Sequence, residues 1–192
     1  MNVQKADIVI IGAGMVGLSL ANQIKKRFSL KNIYIIEKEA QIGQHSSGRN
    51  SGVLHAGLYY KPASLKAKVC IEGSKRLKAW IKDMGLPIKN CGKIITPQSK
   101  ELDSQLDILQ ERGKANGAKV ELINESFLKK KIPQARTSTG RALWSPDTSV
   151  VNPSLVLKRL SQQLLNNDVK ILKSQNNWTI DVDKRLIRVS PE

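Results

Sequence analysis

An α/β fold, led by a βαβ unit and followed by an α+β lobe, is what three features of this 192-residue sequence predict. A run of buried-strand character, "ADIVII" at residues 6–11, ends at a glycine. Apolar positions Val16, Leu18, Leu20 and Ile24 then recur at helical spacing over residues 14–28. A second apolar run, "NIYIIE" at residues 32–37, completes the pattern, so the two strands should pair in parallel through a right-handed crossover.

Residues 64–84 carry Leu65, Val69, Leu77, Trp80, Ile81 and Met84 at roughly helical spacing. The opposite face, with Lys66, Lys68, Lys75, Arg76, Lys78 and Lys82, reads as solvated, and Gly85 and Pro87 stop the helix. A strand near 93–96, a helix through Leu102, Leu106 and Leu109, and a strand near 119–123 read as a separate α+β lobe, and residues 142–144 lead out of it. Asn152-Pro153 is a helix start, with Asn as N-cap and Pro at the first helical position. That helix should reach about Leu165, with a strand over 169–172 and a hairpin over 179–182 and 186–189 around Asp183-Lys184. The expected division is 1–85 and 144–192 for two segments of one nucleotide-binding domain, with 86–143 as part of a substrate lobe.

Composition narrows the class. Hydrophobic residues at 40% and charged residues at 25% suit a globular chain rather than a disordered one. Aromatics at 4% argue against stacking platforms for single-stranded nucleic acid. The net charge of +16 is spread along the chain, with only Lys129-Lys130-Lys131 as a run, which reads as a solvated basic surface. Cys70 and Cys91 form no CxxC pair, favouring a reducing, cytoplasmic setting, and no metal-ligand cluster is read. The uncharged stretch 8–23 is broken by three glycines and falls short of the ~20 apolar residues of a membrane span. A soluble chain follows, with peripheral membrane or quinone contact left open.

The chemistry sits in "GAGMVG", residues 12–17, which opens the first helix. Gly12 permits the tight turn, Gly14 lets the backbone approach a pyrophosphate, and Gly17 allows close helix–strand packing. The free N–H groups of the helix start, at Ala13, Gly14 and Val16, favour phosphates. Glu37, at the end of the second strand with Lys38 beside it, would accept hydrogen bonds from a ribose diol, and its charge disfavours a 2′-phosphate and hence NADP. A few residues later comes "GQHSSGRNSGVLHAGLYY", residues 43–60. Small residues at this density bend a backbone sharply or let it approach something closely. Ser46, Ser47, Arg49, Asn50, Ser51 and Gly52 are therefore expected to lie along a second length of extended cofactor, as FAD requires.

"GAGMVG", Glu37, "SSGRNSGVLHAGLYY" and "VVNPSLVLKRL" together resemble the D-amino-acid-oxidase-like FAD oxidoreductases, in the branch of L-2-hydroxyglutarate oxidases and dehydrogenases. Gly48 departs from that pattern, standing between the serines and Arg49. The resemblance implies a Rossmann-like FAD-binding domain of the DAO type and a flavoprotein that oxidises an L-2-hydroxy acid to a 2-oxo acid. It implies His55 as the base, whose imidazole titrates near neutral pH. A 2-hydroxy dicarboxylate would be the small-molecule substrate, with Arg49 and Lys61 the cations nearest to hand. Members of the family are longer, so the resemblance implies an N-terminal half whose C-terminal half, including an inner strand and flavin contacts, is missing. A chain of this length is accordingly expected to hold FAD weakly or not at all and not to turn over substrate alone. Two alternatives stand beside this reading. One is an amine- or amino-acid-oxidising FAD enzyme of the same superfamily; the other is a basic FAD-fold protein associated with tRNA, although no nucleic-acid partner is expected.

Overall fold

A computed structural model describes residues 3–190. In chain order they form β1 (Ile8–Ile11), α1 (Met15–Arg27), β2 (Ile33–Ile36) and β3 (Val53–Leu54). Then come α2 (Leu65–Asp83), β4 (Ile88–Lys89), β5 (Lys93–Ile95), a 3-10 turn (Lys100–Leu102) and α3 (Ser104–Ala115). Next are β6 (Glu121–Asn124), α4 (Glu125–Lys131), β7 (Arg141–Ser145) and β8 (Ser149–Val151). The remaining elements are α5 (Pro153–Leu165), β9 (Lys170–Leu172), β10 (Asn177–Asp181) and β11 (Leu186–Ser190).

The chain folds into two compact units, residues 1–51 with 152–192, and residues 52–151. In the first, β1 and β2 pair in parallel from Ile8–Ile33 to Ile11–Ile36, and β9 adds to the other side of β2, also in parallel. β2 is the middle strand and is buried at every position, as a strand covered on both faces must be. Helices α1 and α5 pack against each other, where Gln163 Nε2 donates to Asn22 Oδ1 at 3.4 Å. The antiparallel hairpin of β10 and β11 brings Ile187 and Val189 to a cavity of about 210 Å³ that also meets Val9, Tyr34 and Ile36.

The second unit holds two antiparallel sheets, β3-β8-β4 and β5-β7-β6. Leu58, Leu106, Val120 and Leu143 form its core, and Ile123, Leu128 and Ala142 a smaller cluster. Arg141 at the start of β7 ties that strand to the start of α3, with Nη2 donating to Asp107 Oδ1 at 2.6 Å and Nη1 to Asp103.

β3 and β4 both pair with β8, which closes residues 52–151 into one compact body, and the functional division at 85/86 and 143/144 stays a proposal beside it. Two expectations are corrected. On α2, Leu65 and Val69 are exposed, and Ala67, Ile71 and Ser74 take their place on the packed side, whereas Leu77, Trp80, Ile81 and Met84 are half-buried or buried as expected; Lys78, expected on the solvated face, is half-buried. On α1, likewise, Val16 and Leu20 face outward while Leu18, Ala21 and Asn22 are buried. Strands β3, β4 and β8 and helix α4 were not anticipated.

Helix α5 begins as its sequence predicts. The Asn152 side-chain oxygen accepts from the N–H groups of Ser154 (3.0 Å) and Leu155 (3.2 Å), and Pro153 opens the helix. Asn152→Ala removes both bonds and should lower unfolding free energy by about 1 kcal/mol. Urea denaturation followed by circular dichroism checks this; an unchanged midpoint would show the cap to be inert.

Candidate functional site

The turn between β1 and α1 is fixed to the end of β2 by two short bonds, and a third bond holds the acidic side chain from its own loop. Gly12 N–H donates to the Ile36 carbonyl at 2.7 Å, with Gly12 itself at a φ of 102°. Ala13 N–H donates to Glu37 Oε2 at 2.7 Å, and Glu39 N–H donates to Glu37 Oε1 at 3.0 Å. Glu37 is only 7% exposed, yet each of its oxygens accepts a single bond here, and an ionised carboxylate offers about four lone-pair sites. The remaining acceptor capacity faces a cleft of about 290 Å³.

Gly12, Gly14, Glu37, Lys38, Ser46 and Ser47 all line that cleft. At its base, Met15 N–H donates to Ser47 Oγ at 3.0 Å, which joins the small-residue run to the helix start. The helix N-cap is Gly14, which has no side chain to cap it, and no acidic residue occupies the first turn. That leaves a helix N-terminus open to an anion. A Cβ on Gly14 would stand 2.9 Å from Ser47 Oγ, and one on Gly17 only 2.0 Å from the Gly12 carbonyl oxygen. The cradle is therefore shaped by missing side chains. Its donors and acceptors match a ribose diol at Glu37 and phosphates at the helix start, so the residues fit a dinucleotide. At about 290 Å³ the cleft lies at the low end of the roughly 300–1,000 Å³ of ligand pockets, which suits one end of an extended cofactor.

The other predicted site residues fall differently. Ala13 is fully buried and its N–H, expected to be free for a phosphate, is taken by Glu37, whereas the Val16 side chain is 83% exposed. Arg49, Asn50 and Ser51 belong to the same unit but do not line the cleft. Asn50 shapes the loop instead, its amide donating to the carbonyls of Ser46 (3.0 Å) and Ser47 (2.9 Å). Gly52 and His55 belong to the second unit.

Sequence reasoning missed several cleft residues. Gln175 and Trp178 line it, and Gln175 N–H donates to the Glu37 carbonyl at 2.9 Å. No motif links residues so distant in sequence; only the β2–β9 pairing does. His45 also borders the cleft and lies 2.8 Å from Glu39 Oε1. That bond to His45 holds the Glu39 carboxyl below its usual range.

In the second unit, His55 is half-buried and meets Tyr59 edge to face, with ring centroids 5.9 Å apart. Burial first, and the Lys93 ammonium second, push its imidazole below the ordinary value of 6.5. Cys70 Sγ contacts the His55 carbonyl at 3.6 Å, and burial raises its thiol pKa, so it behaves as a packing residue rather than a nucleophile. Asn116 clamps the end of the run, donating to the carbonyls of Gly57 (2.9 Å) and Tyr60 (3.0 Å).

A fold with a glycine turn pinned to an acidic strand end defines a dinucleotide-binding protein. The family model for FAD dependent oxidoreductases (DAO) matches residues 7–189, and the chain belongs to that family. The cofactor of the family is FAD. Among curated relatives, the chain is 41% identical to the mitochondrial L-2-hydroxyglutarate dehydrogenase of Pongo abelii, over 93% of this chain and 42% of the relative. It is 36% identical to the L-2-hydroxyglutarate dehydrogenase of Indibacter alkaliphilus, over 92% of this chain and 45% of the relative. The chain thus spans less than half the length of these relatives. Among solved structures, it superposes on the FAD-bound, dithionite-reduced L-alpha-glycerophosphate oxidase of Mycoplasma pneumoniae with a TM-score of 0.87. That match has 26% identity and covers 99% of this chain and 51% of the other. Glycine oxidase from Geobacillus kaustophilus, 16% identical with a TM-score of 0.85 over 97% of this chain and 51% of the other, shares the fold.

The glycine cradle makes a direct prediction. Gly14→Val and Gly17→Ala should each weaken FAD binding on the order of tenfold or more, about 1.4 kcal/mol. Ser99→Ala, in the second unit, should leave it unchanged. Flavin-fluorescence titration of the purified chain measures this, with circular dichroism confirming the fold. Wild-type affinity in both glycine variants would contradict the cradle.

Proposed function

We propose that this chain serves the FAD-dependent oxidation of an L-2-hydroxy acid, L-2-hydroxyglutarate foremost, to the corresponding 2-oxo acid. The observation that carries the reading is the 32–43% identity to L-2-hydroxyglutarate dehydrogenases, which extends over most of the chain. FAD, when bound, supplies the acceptor for the two electrons and the hydrogen that leave the substrate carbon.

The chain's own residues have separable roles in this reading. Glu37, already held by Ala13 and Glu39, accepts from the ribose hydroxyls without having to reorganise. The open helix start at Gly14 and the hydroxyls of Ser46 and Ser47 receive the phosphates. His55 accepts the substrate hydroxyl proton at a ring nitrogen; burial first and the Lys93 ammonium second push its pKa down, which favours the neutral imidazole that can take a proton. The strongly basic chain, at +16, supports contact with anionic surfaces such as a membrane holding a quinone acceptor. Among the described residues no helix is long and apolar enough to cross a membrane.

The test uses a chimera in which this chain is joined to the C-terminal portion of the Pongo abelii relative that the match leaves uncovered. The FAD-loaded chimera should be bleached by L-2-hydroxyglutarate under anaerobic conditions and not by its D enantiomer, glycine or sarcosine. His55→Gln should slow that bleaching by roughly 10²–10⁴-fold, the usual contribution of a general base. Bleaching by an amine and not by the hydroxy acid would overturn the reading in favour of amine oxidation.

A further inference from the structure

Lys93 opens β5, a strand otherwise concerned with pairing to β7, and among the described residues no acid pairs with its side chain. Its ammonium instead lies 4.4 Å from the centroid of the Tyr59 ring. That same ring meets the imidazole of His55 at 82°, with centroids 5.9 Å apart. An aromatic face attracts a cation, and edge-to-face contact is a preferred arrangement of two rings. Three side chains from two separate segments thereby meet at one ring: the Lys93 ammonium over Tyr59, and the His55 imidazole edge to face with it.

We propose that Lys93, seated on Tyr59, is a positioning residue for His55, and that the three side chains act as one unit that fixes the imidazole's orientation and its proton-accepting role. The proposal rests on the reading of His55 as a base. Two physical effects give the unit its purpose. The T-shaped contact restricts how the imidazole can rotate. The nearby ammonium disfavours a second positive charge on the imidazole and adds to burial in the same direction. The other charged groups around His55 come from α2 and the β7–β8 turn: Lys75, Lys78 and Asp147 border a pocket of about 220 Å³ beside it. Lys78 is held by the Asp147 carbonyl, and Lys75 adds a further positive charge, so the Asp147 carboxylate is the one group there that opposes the effect.

The sequence makes the test clean, because the chain has only two histidines, and the second, His45, lies in the other unit. Proton NMR titration of the chain labelled in its histidine rings reads both midpoints at once. Lys93→Met should raise the His55 midpoint toward the ordinary value while His45 stays in place, and Lys93→Arg should restore it. Tyr59→Leu removes the ammonium's seat and should raise it as well, whereas Tyr59→Phe keeps the ring and should not. An unmoved His55 in Lys93→Met, or an equal shift of His45, would overturn the proposal. If Lys93→Met does not fold, an unmoved His55 in Tyr59→Leu overturns it equally. In the FAD-loaded chimera, Lys93→Met should shift the acid limb of kcat/KM for L-2-hydroxyglutarate to higher pH. A shifted midpoint without any oxidation of the hydroxy acid would uphold the cluster and defeat the proposed reaction, so the two failures are distinguishable.

Discussion

The carboxylate of Glu37 is the constraint on which the first unit depends. It is buried at the end of the central strand and receives the N–H of Ala13 from the glycine turn and that of Glu39 from its own loop. A buried carboxylate without partners would be costly, so these bonds offset the cost and lock two chain segments in register. The Gly12 bond to Ile36 and the Gln175 bond to the Glu37 carbonyl extend the same lock to β1 and to the stretch after β9. The register of the glycine turn and the acceptor oxygen in the cleft follow from this one side chain, while the open helix start comes from Gly14.

The second unit is organised by polar clamps of a different kind. Arg141 bridges β7 to two aspartates at the start of α3, and the Asn116 amide gathers two carbonyls of the loop that follows His55. Neither clamp touches the imidazole, but the Asn116 amide holds the loop that carries it. Small residues fill the closest approaches: a Cβ on Gly57 would stand 2.7 Å from Ile71. The glycines of the run therefore answer two needs, flat backbone around the cleft in one unit and tight helix contact in the other.

Much of this was legible in the sequence because it is local. Strand, glycine turn, helix and acid follow one another within residues 6–37, and the Asn152-Pro153 start and the final hairpin need only neighbouring residues to specify them. What escaped was either short or long-range. Strands β3 and β4 are two residues each, too short to show a period of two, and exist only because β8 lies between them. Helix α4 does carry a signal, since Asn124 caps it by accepting from Phe127 N–H, but at seven residues ending in three lysines it is too short and too charged to show an apolar period. The outward turn of Val16, Leu20, Leu65 and Val69 shows why apolar spacing alone misplaces a helix face: alanine, serine and the stem of a lysine bury more readily in a tight seam. Gln175, Trp178 and the Lys93–Tyr59–His55 cluster depend on pairings across the fold and left no trace in linear order.

The central claim is that Glu37 receives an unmodified ribose in the cleft beside the glycine turn. Competition calorimetry with ADP-ribose and its 2′-phosphorylated analogue, each displacing FAD from the chain, tests it most directly. The account predicts that ADP-ribose displaces FAD from a single site while the 2′-phosphate analogue binds at least tenfold more weakly, and that Glu37→Gln narrows the gap. Equal or tighter binding of the 2′-phosphate analogue by the unmodified chain would contradict it.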